Sequence, residues 1–139
     1  MRIGVYGGSF DPVHFGHLVP VEEARRNLAL DEIFFVPAFQ PPHKPSGSSA
    51  SSHHRFAMLA LAIEAYPAFR LSDFEVARGG TTYTVETLRH LRAARADAEF
   101  FLVLGSDSLA RSLRGVRGRS FSTSSRSPSW SGRDFRPAR

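Results

Sequence analysis

Along the first 110 residues the period of apolar and polar positions changes repeatedly, and each change predicts a new element. Ile3-Gly4-Val5-Tyr6 is a short apolar run ending at Gly7-Gly8, which predicts a buried strand and then a turn. Leu18, Val21, Ala24 and Leu28 fall at helical spacing, with Arg25 the polar interruption, so a helix starts near 14–17. Ile33-Phe34-Phe35-Val36 predicts a second strand stopped by Pro37, and a loop rich in Pro, Ser and Gly follows over 40–52. Phe56, Leu59, Ala60 and Ile63 form the stripe of a helix over 54–66, ended by Pro67. Residues 69–76 alternate in part and predict a third strand. Thr82 or Thr84 can cap a helix carrying Val85, Leu88 and Leu91, with Arg89, Arg92 and Arg95 left to solvent. Residues 100–104 are a continuous apolar strand ending at Gly105. The order βαβαβαβ predicts an α/β fold: a parallel sheet with right-handed crossovers and helices on its faces. Ligands bind beyond the carboxyl ends of such strands, where Gly7-Gly8 and Gly105-Ser106-Asp107 both lie.

Composition narrows this. The chain has 139 residues, enough for one domain with a core, and no cysteine, which excludes a disulfide scaffold, a thiolate metal site and a thiol nucleophile. No apolar run approaches the roughly 18 to 20 residues of a membrane span, and the N-terminus lacks a signal-peptide core, so a cytoplasmic protein is expected. The net charge of +5 does not describe the whole chain. Residues 111–139 hold eight arginines against one acid, Asp134, together with eight serines, while residues 1–110 are mildly acidic. The division expected is therefore a folded domain over 1–110 and a basic tail over 111–139 too poor in apolar residues to order itself.

The segment after the first strand, Gly7-Gly8-Ser9-Phe10-Asp11-Pro12-Val13-His14-Phe15-Gly16-His17, is neither a dinucleotide fingerprint nor a phosphate loop of the Walker kind. Its parts nevertheless suit polyphosphate. Two glycines allow a close backbone approach, and His14 and His17 project from one face of a first helical turn, where free N–H groups already favour an anion. Gly16 keeps bulk away from that place, and the imidazoles can donate hydrogen bonds to oxygens that gain charge during a displacement. Plainer roles compete: His14 as a helix cap, His17 as a satisfied core histidine, or both as part of a metal site that lacks a third ligand. Ser9 lacks the G-x-S-x-G context of a nucleophile. Asp11 is expected to cap the first helix or tie down the turn.

The eleven-residue string 7–17 resembles the (H/T)xGH signature of the nucleotidyltransferases. Pro41-Pro42-His43-Lys44, the stretch His54-Arg55-Phe56-Ala57-Met58-Leu59, residues 79–88 (G-G-T-T-Y-T-V-E-T-L) and 101–107 (F-L-V-L-G-S-D) make the chain similar to the bacterial nicotinate-nucleotide adenylyltransferases over 1–110. The resemblance implies a Rossmann-like fold of nucleotidyltransferase type. It implies transfer of adenylate from ATP, with Mg²⁺, to nicotinate mononucleotide, giving deamido-NAD and pyrophosphate in NAD biosynthesis. Under it His14 and His17 are the catalytic pair. Gly7, Gly8, Ser9, Phe10, Lys44, Gly105 and Asp107 serve ATP, Thr82, Tyr83 and Thr84 serve the acceptor, and no protein metal ligand is implied. The implied partners are these small molecules, with no membrane partner.

The resemblance stops near residue 110. The Trp-bearing loop and Ile-Ser-Ser-Thr-x-x-Arg motif of that family have no counterpart, and Trp130 stands in a Ser/Arg context. The change of composition near Arg111 is what a reading-frame shift in a GC-rich gene produces, and weak or absent activity is the expectation for such a chain. Two other functions stay open. One is adenylyl transfer to nicotinamide mononucleotide or phosphopantetheine. The other is a non-catalytic remnant, or an RNA binder working through the arginine tail.

Overall fold

The computed structural model describes residues 1–40, 49–105 and 120–123. In chain order the elements are β1 (Arg2–Gly8), α1 (Phe15–Asn27), β2 (Glu32–Pro37), α2 (Ser52–Ile63), β3 (Phe69–Leu71), α3 (Phe74–Arg78), α4 (Thr84–Ala94), β4 (Glu99–Gly105) and β5 (Ser120–Thr123). All strand pairings are parallel and the sheet order is β3-β2-β1-β4-β5. From β1 the chain works outward through β2 to β3, then crosses back to β4 on the other side. The connections therefore part company between β1 and β4, and their carboxyl ends open a crevice there.

Strand alternation divides the core between the two faces. Tyr6, Ile33, Phe35, Phe101 and Val103 meet Leu18 and Val21 of α1 and Leu59 and Ile63 of α2 on one face. Val5 and Val36 meet Leu91 of α4 on the other, with Phe34, Leu88 and Phe100 packed around them. This is the doubly covered parallel sheet that the residue pattern predicts.

Four local differences from the pattern have physical causes. The predicted strand over 69–76 stops at Leu71, because Ser72 and Asp73 turn the chain and Phe74–Arg78 coils into α3, burying Val76. The stripe on α2 is rotated by about one position: Ser52, Arg55, Leu59 and Ile63 face inward, while Ala60 is exposed. On α4, Leu91 is buried as predicted but Val85 is exposed, and Thr87, which the predicted stripe does not include, is buried. A difference within 111–139 is β5 at Ser120–Thr123, which pairs with β4 from Leu102–Ser120 to Gly105–Thr123. Without it β4 presents a row of unpaired backbone groups, and Ser-Phe-Ser-Thr contains residues that strands accept. Lys44 and Asp107 lie outside the described residues.

Candidate functional site

β1 delivers the backbone to the crevice and Phe10 turns it. Phe10 adopts φ 47° with its ring fully buried, a left-handed conformation that a bulky residue holds only under strong packing. That packing is aromatic. The Phe10 ring meets Tyr6 edge-on at 5.5 Å, Phe35 at 5.7 Å and the His17 imidazole edge-on at 5.3 Å. The cradle segment 7–10 therefore rests directly on one of the two histidines.

His14 is the N-cap of α1 and His17 stands in its first turn. Their rings lie 3.9 Å apart between centroids, tilted by 36°, so the two residues are brought together as their spacing predicts. The His14 backbone N–H donates to His17 Nδ1 at 3.2 Å. An Nδ1 that accepts carries no proton, so the network assigns the neutral His17 ring its hydrogen on Nε2. Burial, and then the neighbouring His14, push the His17 pKa below its ordinary value of 6.5. His14 is exposed and His17 half-buried. The capping contact leaves the other nitrogen of His17 available as a donor.

At Gly16 the structure adds a further reason for a missing side chain. A Cβ there would stand 2.9 Å from His14 Nδ1 and 3.0 Å from its Cε1. The missing side chain makes room for the His14 ring itself, which lies tilted against His17.

Arg55 of α2 is the site residue that periodicity missed. It is 1% exposed, and its guanidinium donates to the carbonyls of Ser9 at 2.6 Å, Ala38 at 2.8 Å, Phe39 at 2.9 Å and Ala50 at 3.2 Å. Those carbonyls lie just after β1, just after β2 and just before α2. Burial lowers the Arg55 pKa, and nearby Asp11 opposes that. The Asp11 carboxylate accepts the backbone N–H groups of Ser49 at 2.6 Å and Ala50 at 3.2 Å. Asp11 therefore ties down the turn by holding the approach to α2, and α1 keeps a histidine cap.

The other candidate segment comes from the opposite face of the sheet. Gly79 (φ 72°) and Gly80 (φ 67°) carry the chain from α3 to α4, with Tyr83 as N-cap. Glu86 accepts the Tyr83 backbone N–H at 2.9 Å and an Arg78 N–H at 2.8 Å, which keep its carboxyl below the ordinary range. Beneath it Thr87 Oγ1 donates to Glu75 at 2.6 Å. Burial pushes the Glu75 carboxyl up, against the pull of the Thr87 hydroxyl. Tyr83 is exposed, and Thr82 Oγ1 is buried with no partner among the described residues. α4 leads into the start of β4, so its N-terminus sits at the carboxyl end of the sheet, where Gly105 ends β4. Phosphate-facing and acceptor-facing candidates thus flank the crevice, one set from each face.

Among the described residues no group of three His, Asp or Glu is placed to hold a metal ion, and no helix is long and apolar enough to cross a membrane.

The profile of cytidylyltransferase-like proteins matches residues 5–122. Among curated proteins, the chain is 49% identical over 109 residues to the probable nicotinate-nucleotide adenylyltransferase of Salinibacter ruber, covering 78% of this chain and 56% of that protein. It is 49% identical over 108 residues to the probable nicotinate-nucleotide adenylyltransferase of Trichlorobacter lovleyi, covering 78% of this chain and 51% of the other. The chain thus spans about half the length of the curated relatives it matches. The solved structure of Plasmodium falciparum nicotinic acid mononucleotide adenylyltransferase complexed with NaAD superposes with a TM-score of 0.68 at 25% identity, over 81% of this chain and 56% of that one. A Vibrio parahaemolyticus structure at 17% identity and a TM-score of 0.71, covering 88% of this chain and 72% of its own, has the same fold.

Proposed function

The chain belongs to the cytidylyltransferase-like family, and on that basis we propose that it transfers adenylate from ATP to nicotinate mononucleotide, giving deamido-NAD and pyrophosphate. The observation that carries this is the closely approached His14–His17 pair at the start of α1, beside the turn that ends β1. The names of the half-matched relatives supply the acceptor.

The acceptor's phosphate oxygen attacks the α-phosphorus of ATP, the bond to the bridging oxygen breaks, and pyrophosphate leaves with that electron pair. The attacking phosphate is already anionic near neutral pH, so the protein's task is to align two anions and stabilise spread charge. His17, neutral and orientated by its Nδ1 bond, donates from Nε2 to a phosphate oxygen, and His14 approaches from the solvent side. Gly7, Gly8, Ser9 and Phe10, where β1 ends and the chain turns, are assigned to the ATP phosphates on the sequence resemblance, as is Gly105 at the end of β4. Lys44 and Asp107 are assigned to the triphosphate and a ribose hydroxyl on the sequence resemblance. Thr82, Tyr83 and Thr84 present a helix N-terminus to the nicotinate carboxylate. Mg²⁺ enters as part of the substrate: it prefers oxygen ligands and is carried on ATP phosphates, and the imidazoles here are unsuited to it. Bound there, it neutralises phosphate charge. A cytoplasmic location is part of this proposal.

Single-turnover transfer, with protein in excess over radiolabelled ATP, tests this. Deamido-NAD forms with nicotinate mononucleotide, more slowly than with a full-length relative, and less product forms with nicotinamide mononucleotide or phosphopantetheine. Absence of adenylated product with all three acceptors, together with histidine ring resonances unmoved by ATP, overturns the proposal.

A further inference from the structure

We propose that Arg55 is the positioning residue of the phosphate side, holding the β1–α1 turn and, through Phe10, setting the ring of His17. The inference rests on the function proposed above and deepens it. A guanidinium removed from water is costly unless its donors are satisfied, and a purely architectural position on this helix face is served more cheaply by an apolar residue. Arg55 satisfies its donors on four carbonyls from three separate segments, which one planar fork can reach and a compact ammonium cannot. The shortest bond goes to Ser9, one residue before Phe10. Phe10 holds an uncommon backbone conformation and lays its ring edge against His17. Movement of the Ser9 carbonyl therefore passes to the Phe10 ring and from it to the imidazole. The hydrogen bonds of Arg55 go to Ser9, Ala38, Phe39 and Ala50 and to no residue of α3 or α4, so the acceptor segment is expected to respond less to its loss.

The test compares the full chain with its Arg55→Lys variant. The measurements are thermal melting, titrations with MgATP and with nicotinate mononucleotide separately, and the His17 ring resonance of the free protein. The expected result is a folded variant whose affinity for ATP is about tenfold weaker. Its affinity for nicotinate mononucleotide stays within about twofold, a change too small to need a specific cause, and its His17 resonance is displaced. Phe10→Leu, which leaves the guanidinium bonds in place, approaches the same route from its far end. It displaces His17 and weakens ATP binding, and its effects do not add to those of Arg55→Lys. Equal losses for both ligands tracking the melting temperature, or an unmoved His17 resonance in both variants, overturn the proposal. If the unmodified chain does not bind ATP, the proposed function fails, while the His17 resonance still decides whether Arg55 positions that ring.

Discussion

The two flanks of the crevice are built by different means. On the phosphate side, order comes from burial: Phe10 is enclosed by three aromatic rings and Arg55 gathers four carbonyls out of contact with water. On the acceptor side, order comes from polar side-chain pairs, the partly exposed Arg78–Glu86 pair and the more deeply set Thr87–Glu75 hydrogen bond beneath it. Their glycines differ in the same way. Gly16 is needed for its size, because the His14 ring occupies the space of a side chain. Gly79 and Gly80 are needed for their backbone angles, since nothing lies within 4 Å of a Cβ at either. Buried constraints fix a geometry tightly and are costly to disturb, whereas exposed pairs contribute little each and let a segment adjust. Under the proposed function, the first kind serves the alignment of a triphosphate before reaction and the second the entry and release of the other substrate.

Substitution at the histidines costs most. His17→Ala lowers adenylyl transfer by about 10² to 10³, the cost of losing one preorganised donor to developing charge. Single-turnover rates check it, with nicotinate mononucleotide affinity as the quantity that stays put. Next comes Gly16→Ala, whose methyl drives the His14 ring from its place against His17. A displacement of this kind costs between about tenfold and hundredfold in rate, and the loss appears in ATP-dependent steps with little change in melting temperature. Thr87→Val tests the other flank. It leaves a half-buried Glu75 carboxyl without its donor, at about 1 kcal/mol of stability, seen as a lower denaturation midpoint and a weaker acceptor titration. Gly79→Ala belongs with it: φ 72° with ψ 168° is a conformation that costs an alanine about 1–3 kcal/mol, so stability and acceptor affinity fall while ATP affinity does not. If Gly79→Ala weakened ATP as strongly as Gly16→Ala, the two flanks would not be independent.

The mildest consequence is a dependence on pH. The His17 pKa is depressed in the folded protein, so the unfolded chain binds the extra proton more readily. Stability contributed by this group is present above the unfolded value of 6.5 and is lost as pH falls from there through the lower folded value. A triphosphate beside the ring favours its charged form, so ATP raises the His17 pKa. Nucleotide then binds more tightly as pH falls through that range, by about tenfold if the pKa rises by one pH unit. Histidine ring titrations with and without nucleotide measure both.

Much of this was legible in the chain. Apolar runs and helical stripes gave the alternating order, and Gly7-Gly8 with His14 and His17 marked the crevice, because a turn, a helix start and paired imidazoles are all local in sequence. What stayed hidden is non-local or breaks the usual link between polarity and exposure. Arg55 sits on the inward face of α2, where the pattern favours Phe56 and Ala60, since a buried arginine is recognisable only from carbonyls up to 46 residues away. The Thr87–Glu75 bond joins two helices, the first of which looked like the end of a strand, because Phe74 and Val76 at alternate positions satisfy either period over so short a run. β5 has too few apolar residues to announce itself and depends on the edge that β4 offers.

Whether His14 and His17 hold the phosphates of ATP is decided by a crystal of the chain grown with a non-hydrolysable ATP analogue. Phosphate oxygens are expected within hydrogen-bond distance of His17 Nε2 and of the His14 ring, over the start of α1. An analogue bound elsewhere, with both rings left to solvent, refutes that assignment.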